Sequence, residues 1–223
     1  GKNYIESHSK GINSDINEEK AYKKKQSGIN FLEENGIPKN KPIITIFCHA
    51  WYDFPHIFGM QNFTDFFDWI NLTKQIANKN KEVTWIFKPH PTESWYGGFY
   101  LKDHIKASSK HIYIIDEETS VNTILEITDY IITVHGTVGI EASARGIPVI
   151  ASDRSYYTNW NFTTEIKSRN EYIDMLKKIE TINTKVSNEM VNKARAFAYL
   201  SMAPAEEEIN IKRLIADHTH PKR

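Results

Sequence analysis

The stretch DYIITVHGTVGIEASARGIPVIAS, residues 129–152, decides the fold class, because two apolar runs flank one short helical pattern. The run at 129–135 is rich in β-branched residues and predicts a buried strand, and the run at 147–152 predicts another. Residues 138–145 have helical spacing, and a Gly-Ile-Pro turn ends that pattern. A strand, a helix and a strand joined by short turns are typical of a parallel sheet.

The same alternation extends to both sides of this stretch. Further apolar runs that predict buried strands lie at 42–49, 83–90 and 111–116. Helical patterns lie at 17–35, 62–81, 99–108, 120–128 (capped by Ser120), 168–181, 185–202 and 204–217. We therefore expect an α/β fold, a Rossmann-like parallel sheet of about five or six strands flanked by helices, with C-terminal helices. This domain is expected to span residues 41–223, after a polar arm and a lysine-rich helix over residues 1–40.

Length and composition narrow the classes of function. The 223 residues carry 28 Lys and Arg against 28 Asp and Glu, and this balance argues against a general nucleic-acid binder. The single cysteine, Cys48, excludes an intrachain disulfide and a cysteine-based zinc cluster. No apolar run approaches membrane-spanning length, so we expect a cytoplasmic protein. Since the chain opens abruptly on a polar segment, we also expect it to be a piece of a longer protein.

The loop after the first predicted strand holds the largest number of titratable groups. In open parallel sheets, ligands bind beyond the carboxyl ends of the strands, which directs attention to such loops. His49 and Asp53 could bind a ligand or transfer a proton, and Trp51 or Tyr52 could stack on a sugar. The alternative is an aromatic loop that only packs on the following helix.

The second strand ends in KPHP, which places a cation and an imidazole on a stiff turn. Pro89 and Pro91 restrict the backbone and so fix where His90 points. Lys88 and His90 held in this way suit a diphosphate. The alternative is a lysine that reaches solvent and a histidine that bonds to the backbone.

The fourth strand ends in HGT directly before a helix. Gly136 would let a ligand approach the backbone closely, and Thr137 could cap the helix. Free amides of residues 137–139, together with the helix dipole, favour a phosphate. Glu141, one turn further, could accept hydrogen bonds from ribose hydroxyls. The alternative is an ordinary turn with a cap, in which Glu141 only balances the helix dipole.

Taken together, KPHP, the acidic loop that follows and residues 129–151 resemble the C-terminal, donor-binding half of GT-B glycosyltransferases. The resemblance is greatest to bacterial capsule and surface-polysaccharide biosynthesis proteins, covers roughly residues 40–200, and includes the stretch CHAWYDFPHIFGMQNFTDFFDWI. It implies that the donor phosphates are held by His135, Gly136, Thr137 and Val138, assisted by Lys88 and His90, with Glu141 at the ribose and Ile115 and Ser120 near the base. It also implies that no metal or other cofactor is needed, because positive side chains and the helix dipole stabilise the leaving phosphate.

The resemblance implies transfer of a sugar from a nucleotide-sugar donor to a saccharide or lipid-linked acceptor. GT-B enzymes have two Rossmann-like halves, and this chain has one, so we expect a missing N-terminal half or partner domain. Membrane association is expected to be peripheral at most, at the inner face of the plasma membrane. The alternatives are a CDP-polyol phosphotransferase of the teichoic-acid type, a nucleotide-sugar epimerase and a non-catalytic nucleotide-binding module.

Overall fold

The computed structural model describes Glu6 and residues 26–96, 100–105, 109–182 and 185–202. The expected polar arm, apart from Glu6, and the helix expected at 204–217 lie outside the described residues. The strands are β1 (Ile43–Phe47), β2 (Thr84–Lys88), β3 (Ile112–Ile114), β4 (Tyr130–Thr133), β5 (Val149–Ala151) and β6 (Thr164–Glu165). The α-helices are α1 (Gly28–Glu34), α2 (Phe66–Lys79), α3 (Leu101–His104), α4 (Val121–Leu125), α5 (Val138–Ala144), α6 (Arg169–Lys177) and α7 (Asn188–Met202). Two short 3₁₀ turns, Glu93–Tyr96 and Ile179–Thr181, complete the elements of this part of the chain.

The six strands form one parallel sheet in the order β3-β2-β1-β4-β5-β6, which confirms the predicted α/β fold. The order runs outward from β1 in one direction as far as β3 and then restarts on the other side of β1 with β4. This reversal defines a topological switch point between β1 and β4. The sixth strand, β6, has two half-buried polar residues, so no apolar run in the sequence marks it.

Both faces of the sheet are covered, because successive side chains of a strand point to opposite sides. On β1, Ile44 and Ile46 pack in one cluster with residues of α2 and α6. Ile43 and Phe47 pack in another cluster with residues of α1, α4 and α5. The chain therefore leaves β1 toward one face and leaves β4 toward the other.

The first helix, α1, packs directly on α4. Phe31 lies in the same apolar cluster as Val121 and Leu125 of α4. Gly28 is required there, because a Cβ atom at this position would lie 2.5 Å from Cγ2 of Ile127. The predicted domain boundary at residue 40 separates this helix from the domain on which it packs.

A buried polar network ties α2 to α6. The indole N–H of Trp69 donates to the hydroxyl oxygen of Tyr172 at 3.0 Å, and the Thr73 hydroxyl lies 2.6 Å from the same oxygen. All three side chains are buried, and burial raises the pKa of the Tyr172 phenol well above its ordinary value. The Tyr172 hydroxyl thus satisfies two buried polar groups on the neighbouring helix.

We expect Tyr172→Phe to lower the free energy of unfolding by about 1–3 kcal/mol, because the Trp69 N–H loses its partner in the core. Urea unfolding followed by tryptophan fluorescence measures the change. Tyr113→Phe is the matched control, since that hydroxyl is exposed and bonds to the carbonyl oxygens of Gly36 and Lys110. Equal unfolding midpoints for both variants would contradict the role assigned to the network.

Candidate functional site

The candidate site lies at the switch point, where β1 and β4 end side by side. His49 follows β1 and His135 follows β4, and their ring centroids are 4.2 Å apart. The loops after β1 and β4 lead to α2 and α5, which pack on opposite faces of the sheet. A crevice of this kind is where open α/β sheets bind their ligands.

His49 is held in one orientation by the groups around it. Its Nε2 accepts a hydrogen bond from the backbone N–H of His135 at 3.3 Å, and its ring stacks on Phe66 at 4.4 Å between centroids. Because Nε2 accepts, the neutral ring carries its hydrogen on Nδ1. That nitrogen faces Oδ2 of Asp53 at 3.9 Å, which is too long for a hydrogen bond but close enough for electrostatic attraction.

Exposure differs sharply between the two members of this pair. The side chain of His49 is 6% exposed and that of Asp53 is 46% exposed. Burial lowers the pKa of His49, whereas the contact with His49 holds the pKa of Asp53 below its ordinary value. At neutral pH, Asp53 is therefore an ionised carboxylate within reach of a ligand, and His49 is the buried neutral group that orients it.

The alternative interpretation of KPHP required Lys88 to reach solvent, but Lys88 is not at the surface. The side chain is fully buried, and its Nζ donates to the carbonyl oxygens of Glu117 at 2.6 Å and Pro89 at 3.2 Å. Burial lowers the pKa of Lys88 to about 8, against the opposing effect of nearby carboxylates, led by Asp116. Lys88 therefore joins the end of β2 to the loop after β3 and remains mostly charged at neutral pH.

The hydrogen bonds of His90 determine which of its ring nitrogens carries the hydrogen. Its Nδ1 accepts the backbone N–H of Thr92 at 3.2 Å and lies 2.7 Å from the Thr92 hydroxyl. The neutral ring consequently carries its hydrogen on Nε2, as a donor. Burial lowers the pKa of His90 to about 4.

His135 packs among aromatic rings. The ring centroids of Phe58 and Phe66 lie 5.2 Å and 5.4 Å from that of His135. Its Nε2 is buried and has no hydrogen-bond partner within the described chain. Burial lowers the pKa of His135 to about 4, so the ring is neutral at physiological pH.

Two glycines of the β4–α5 turn lie where the protein leaves no room for a side chain. A Cβ atom on Gly136 would lie 2.9 Å from Oγ1 of Thr133, and one on Gly139 would lie 2.5 Å from the hydroxyl oxygen of Tyr157. Tyr157 is buried, and its hydroxyl donates to the carbonyl oxygen of Gly136 at 3.3 Å. The absent side chains thus make room for the protein's own packing.

The expected capping is wrong at both helix starts. Neither Thr137 nor Ser120 makes a side-chain cap bond, and the Ser120 hydroxyl is buried without a partner in the described residues. The helices begin with backbone bonds instead, and the Gly139 N–H donates to the Gly136 carbonyl at 3.0 Å. Of the three amides expected to be free, those of Thr137 and Val138 donate to no group in the described parts of the chain.

The other predicted site residues are buried. Ile115 lies in the apolar cluster on the α4 face of the sheet, and Glu141 is only 4% exposed within α5. A second histidine of the β1–α2 loop, His56, is exposed. The structure therefore brings His49, Asp53 and His135 together and leaves His56 at the surface.

Asp153 is a residue of the site region that the sequence analysis missed. Its buried carboxylate accepts the backbone N–H groups of Gln61, Asn62 and Arg154 at 2.7–3.1 Å. The Asn62 side chain donates in turn to the carbonyl oxygens of Ser152 and Ile166. These bonds fasten the end of the β1–α2 loop to β5. An acidic residue just after a strand was the only signal, and its partners on that loop lie 91 and 92 residues away.

Among the described residues, no group of three or more His, Cys, Asp or Glu side chains is arranged to hold a metal ion. Independence from metals stays a prediction. In the same part of the chain, no helix combines the length and the apolar character needed to cross a membrane.

The fold and the site define a Rossmann-like α/β domain with a polar crevice at its switch point. The chain belongs to the family of capsule polysaccharide biosynthesis proteins, whose model matches residues 4–200. The resemblance inferred from the sequence motifs is thereby confirmed. Among curated proteins no relative matches this sequence.

The chain is similar to several solved structures at low sequence identity. Anabaena HepE, crystallised with UDP, is 10% identical with a TM-score of 0.50, over 85% of this chain and 52% of that one. The β-Kdo 2,7-transferase part of KpsC from Thermosulfurimonas dismutans is 18% identical with a TM-score of 0.45, over 75% of this chain and 50% of that one. The wall teichoic acid polymerase TagF is 13% identical with a TM-score of 0.44, over 86% of this chain and 46% of that one. The chain thus spans about half the length of the solved structures that it matches.

Gly139→Ala tests the packing of the β4–α5 turn. We expect it to lower the free energy of unfolding by about 1–3 kcal/mol, because the new methyl group meets the Tyr157 hydroxyl. Tyr157→Phe removes that oxygen, so the glycine substitution should cost less in this background than in the native one. A double-mutant cycle from urea unfolding measures the coupling. Additive effects would show that the clash is not the reason for the glycine.

The buried histidines predict how stability depends on pH. Burial lowers the pKa of His90 from 6.5 to about 4, so the unfolded chain binds more protons between these values. The free energy of unfolding should therefore fall as the pH is lowered from about 6.5 toward 4, by roughly 1–3 kcal/mol for this group.

Urea unfolding at pH 7, 5.5 and 4.5 measures that slope. His90→Gln should flatten it, and replacement of the exposed His56 by Gln serves as the control. A slope that is the same in native protein and His90→Gln would mean that His90 takes up its proton equally well in the folded chain.

Proposed function

We propose that this chain is the donor-binding part of a glycosyltransferase of capsular or surface polysaccharide biosynthesis. The observation that carries the proposal is the convergence of His90, His49 and His135 at the ends of three neighbouring central strands, β2, β1 and β4. This convergence falls at the switch point of the sheet, in a chain of the capsule polysaccharide biosynthesis family. Buried neutral imidazoles and backbone amides there are suited to a polar ligand that brings its own negative charge.

The nucleotide-sugar would lie across the ends of the strands. Its phosphate oxygens would accept hydrogen bonds from Nε2–H of His90 and from the free amides of Thr137 and Val138. Because β1 separates β2 from β4, the ends of these two strands are about 10 Å apart, given the usual spacing of neighbouring strands. A ligand that reaches from one to the other passes over the end of β1, where His49 and Asp53 lie. An extended diphosphate with a sugar attached has the length that this arrangement requires.

The transfer would proceed by attack of an acceptor hydroxyl oxygen on the anomeric carbon of the donor sugar. The bond from that carbon to the phosphate oxygen breaks, and the nucleotide leaves with the electron pair. The acceptor proton passes to a base, and Asp53 is an exposed carboxylate of the crevice that could take it or hydrogen-bond to the hydroxyl. Its lowered pKa makes it a weak base, so the proton would leave the hydroxyl late in the reaction.

Completion of the site is part of the proposal. A second Rossmann-like half, in the same protein or in a partner, would complete the site and contribute further contacts to the saccharide or lipid-linked acceptor. The reaction would take place in the cytoplasm at the inner face of the plasma membrane, without a bound metal. These features stay predictions, because this chain spans only about half the length of the solved structures that it matches.

Nucleotide binding is the direct test. Isothermal calorimetry with UDP, GDP, CDP and CMP compares the possible donors, and UDP comes first because HepE was crystallised with it. We expect one nucleoside diphosphate to bind. His90→Ala should weaken it about ten-fold or more, through loss of a hydrogen bond to a charged group. Thr137→Ala should weaken it about two- to ten-fold if the hydroxyl also contacts the phosphate.

Thr181→Ala is the matched control, because this exposed threonine lies on the turn after α6 and its hydroxyl donates to the Lys178 carbonyl. Binding of CDP alone would favour the polyol phosphotransferase. If no nucleotide binds, or if both site variants bind as tightly as the control, the donor site is not where we propose it.

A further inference from the structure

A small cavity lies beside the His49–Asp53 pair and has no part in the proposed donor site. Its volume is about 270 Å³, and it is lined by Trp51, Tyr52, Pro55, Asp65, Phe66 and Phe67. We call it the aromatic pocket. Pockets for drug-sized ligands usually measure about 300–1,000 Å³, so this one is suited to a single ring. Phe66 also stacks on His49, and this shared wall makes the pocket a neighbour of the proposed reaction centre.

The walls of the aromatic pocket are held in place before any ligand arrives. The indole N–H of Trp51 donates to the carboxylate of Glu93 at 3.3 Å. The rings of Trp51 and Phe67 pack edge-on with centroids 6.0 Å apart, and each also packs edge-on against His104. A ligand that binds here meets fixed ring faces and so costs little side-chain entropy.

The rim combines exposed rings with a carboxylate. Tyr52 is 60% exposed and Phe67 is 42% exposed, although large aromatic side chains are usually far more buried. Asp65 is the one charged group of the lining, and its Oδ1 accepts the backbone N–H of Asp68 at 2.7 Å. A carboxylate has about four acceptor positions, so Asp65 has capacity for ligand hydroxyls as well.

We propose that the aromatic pocket binds one pyranose ring of the acceptor saccharide. A pyranose has an apolar C–H face, which packs on aromatic rings, and hydroxyls at its edge, which donate to a carboxylate such as Asp65. The assignment to the acceptor rests on the proposed function, because the donor phosphates are assigned to the ends of β2 and β4. A ring in the pocket would lie next to Phe66, which stacks on His49.

Saturation-transfer NMR on the 223-residue chain tests this proposal. The probes are the methyl pyranosides of glucose, galactose, mannose and N-acetylglucosamine. We expect transfer to the C–H protons of one ring face for at least one probe. Tyr52→Ala should weaken that binding about three- to ten-fold, as expected for the loss of one aromatic contact.

Phe54→Ala is the matched control. Phe54 lies on the same loop and is 75% exposed, but it does not line the aromatic pocket. Its removal should leave glycoside binding unchanged. Because both substituted side chains are largely exposed, neither variant is expected to unfold.

Two outcomes overturn the proposal: no transfer to any glycoside, or equal weakening by Tyr52→Ala and Phe54→Ala. Calorimetry with UDP on the same samples separates this failure from failure of the proposed function. If UDP binds but no glycoside does, only the proposal of an acceptor pocket is wrong. If a glycoside binds but no nucleotide does, the pocket is a sugar site and the proposed donor site is wrong. The sugar could then no longer be assigned to an acceptor.

Discussion

The parallel pairing of β1 with both β2 and β4 is the constraint on which the rest of the structure depends. Both edges of β1 are hydrogen-bonded, and all five of its residues are buried. Its carboxyl end therefore has to lie between those of its two neighbours. Since the chain leaves β1 and β4 toward opposite faces of the sheet, the exits of these strands border a crevice. His49 and His135 meet there because of the topology, although they are far apart in the sequence.

Packing, more than charge, organises this crevice. His49 stacks on Phe66, Gly139 makes room for Tyr157, and Lys88 is held by backbone carbonyl oxygens. Burial of the imidazoles keeps them neutral, because a charged ring would lose its hydration without gaining a full partner. A phosphate would supply the missing negative charge, so binding of an anion and protonation of the histidines should favour each other. The proposed site would therefore favour a negatively charged ligand.

The sequence predicts the parallel sheet of this molecule better than the contacts made by individual side chains. Apolar runs of four to eight residues mark β1 to β5, because both faces of a parallel sheet are buried. The half-buried Thr164–Glu165 strand has no such run, so β6 could not be predicted. The histidines could be assigned to one edge by topology alone. The roles of Gly139 and Asp153 depend on contacts with Tyr157 and with the β1–α2 loop, and local sequence patterns do not encode such distant partners.

The two loops of the crevice differ in what they expose, and the difference suggests how two substrates could share it. The β4–α5 loop offers backbone amides from a short, buried helix, which suits phosphate oxygens. The β1–α2 loop offers Asp53 and exposed rings, which suit hydroxyls and a sugar face. Because α5 and α2 pack on opposite faces of the sheet, the proposed donor and acceptor would approach from opposite sides. They would meet above His49, which is buried and faces Asp53, the exposed carboxylate that we propose as the base.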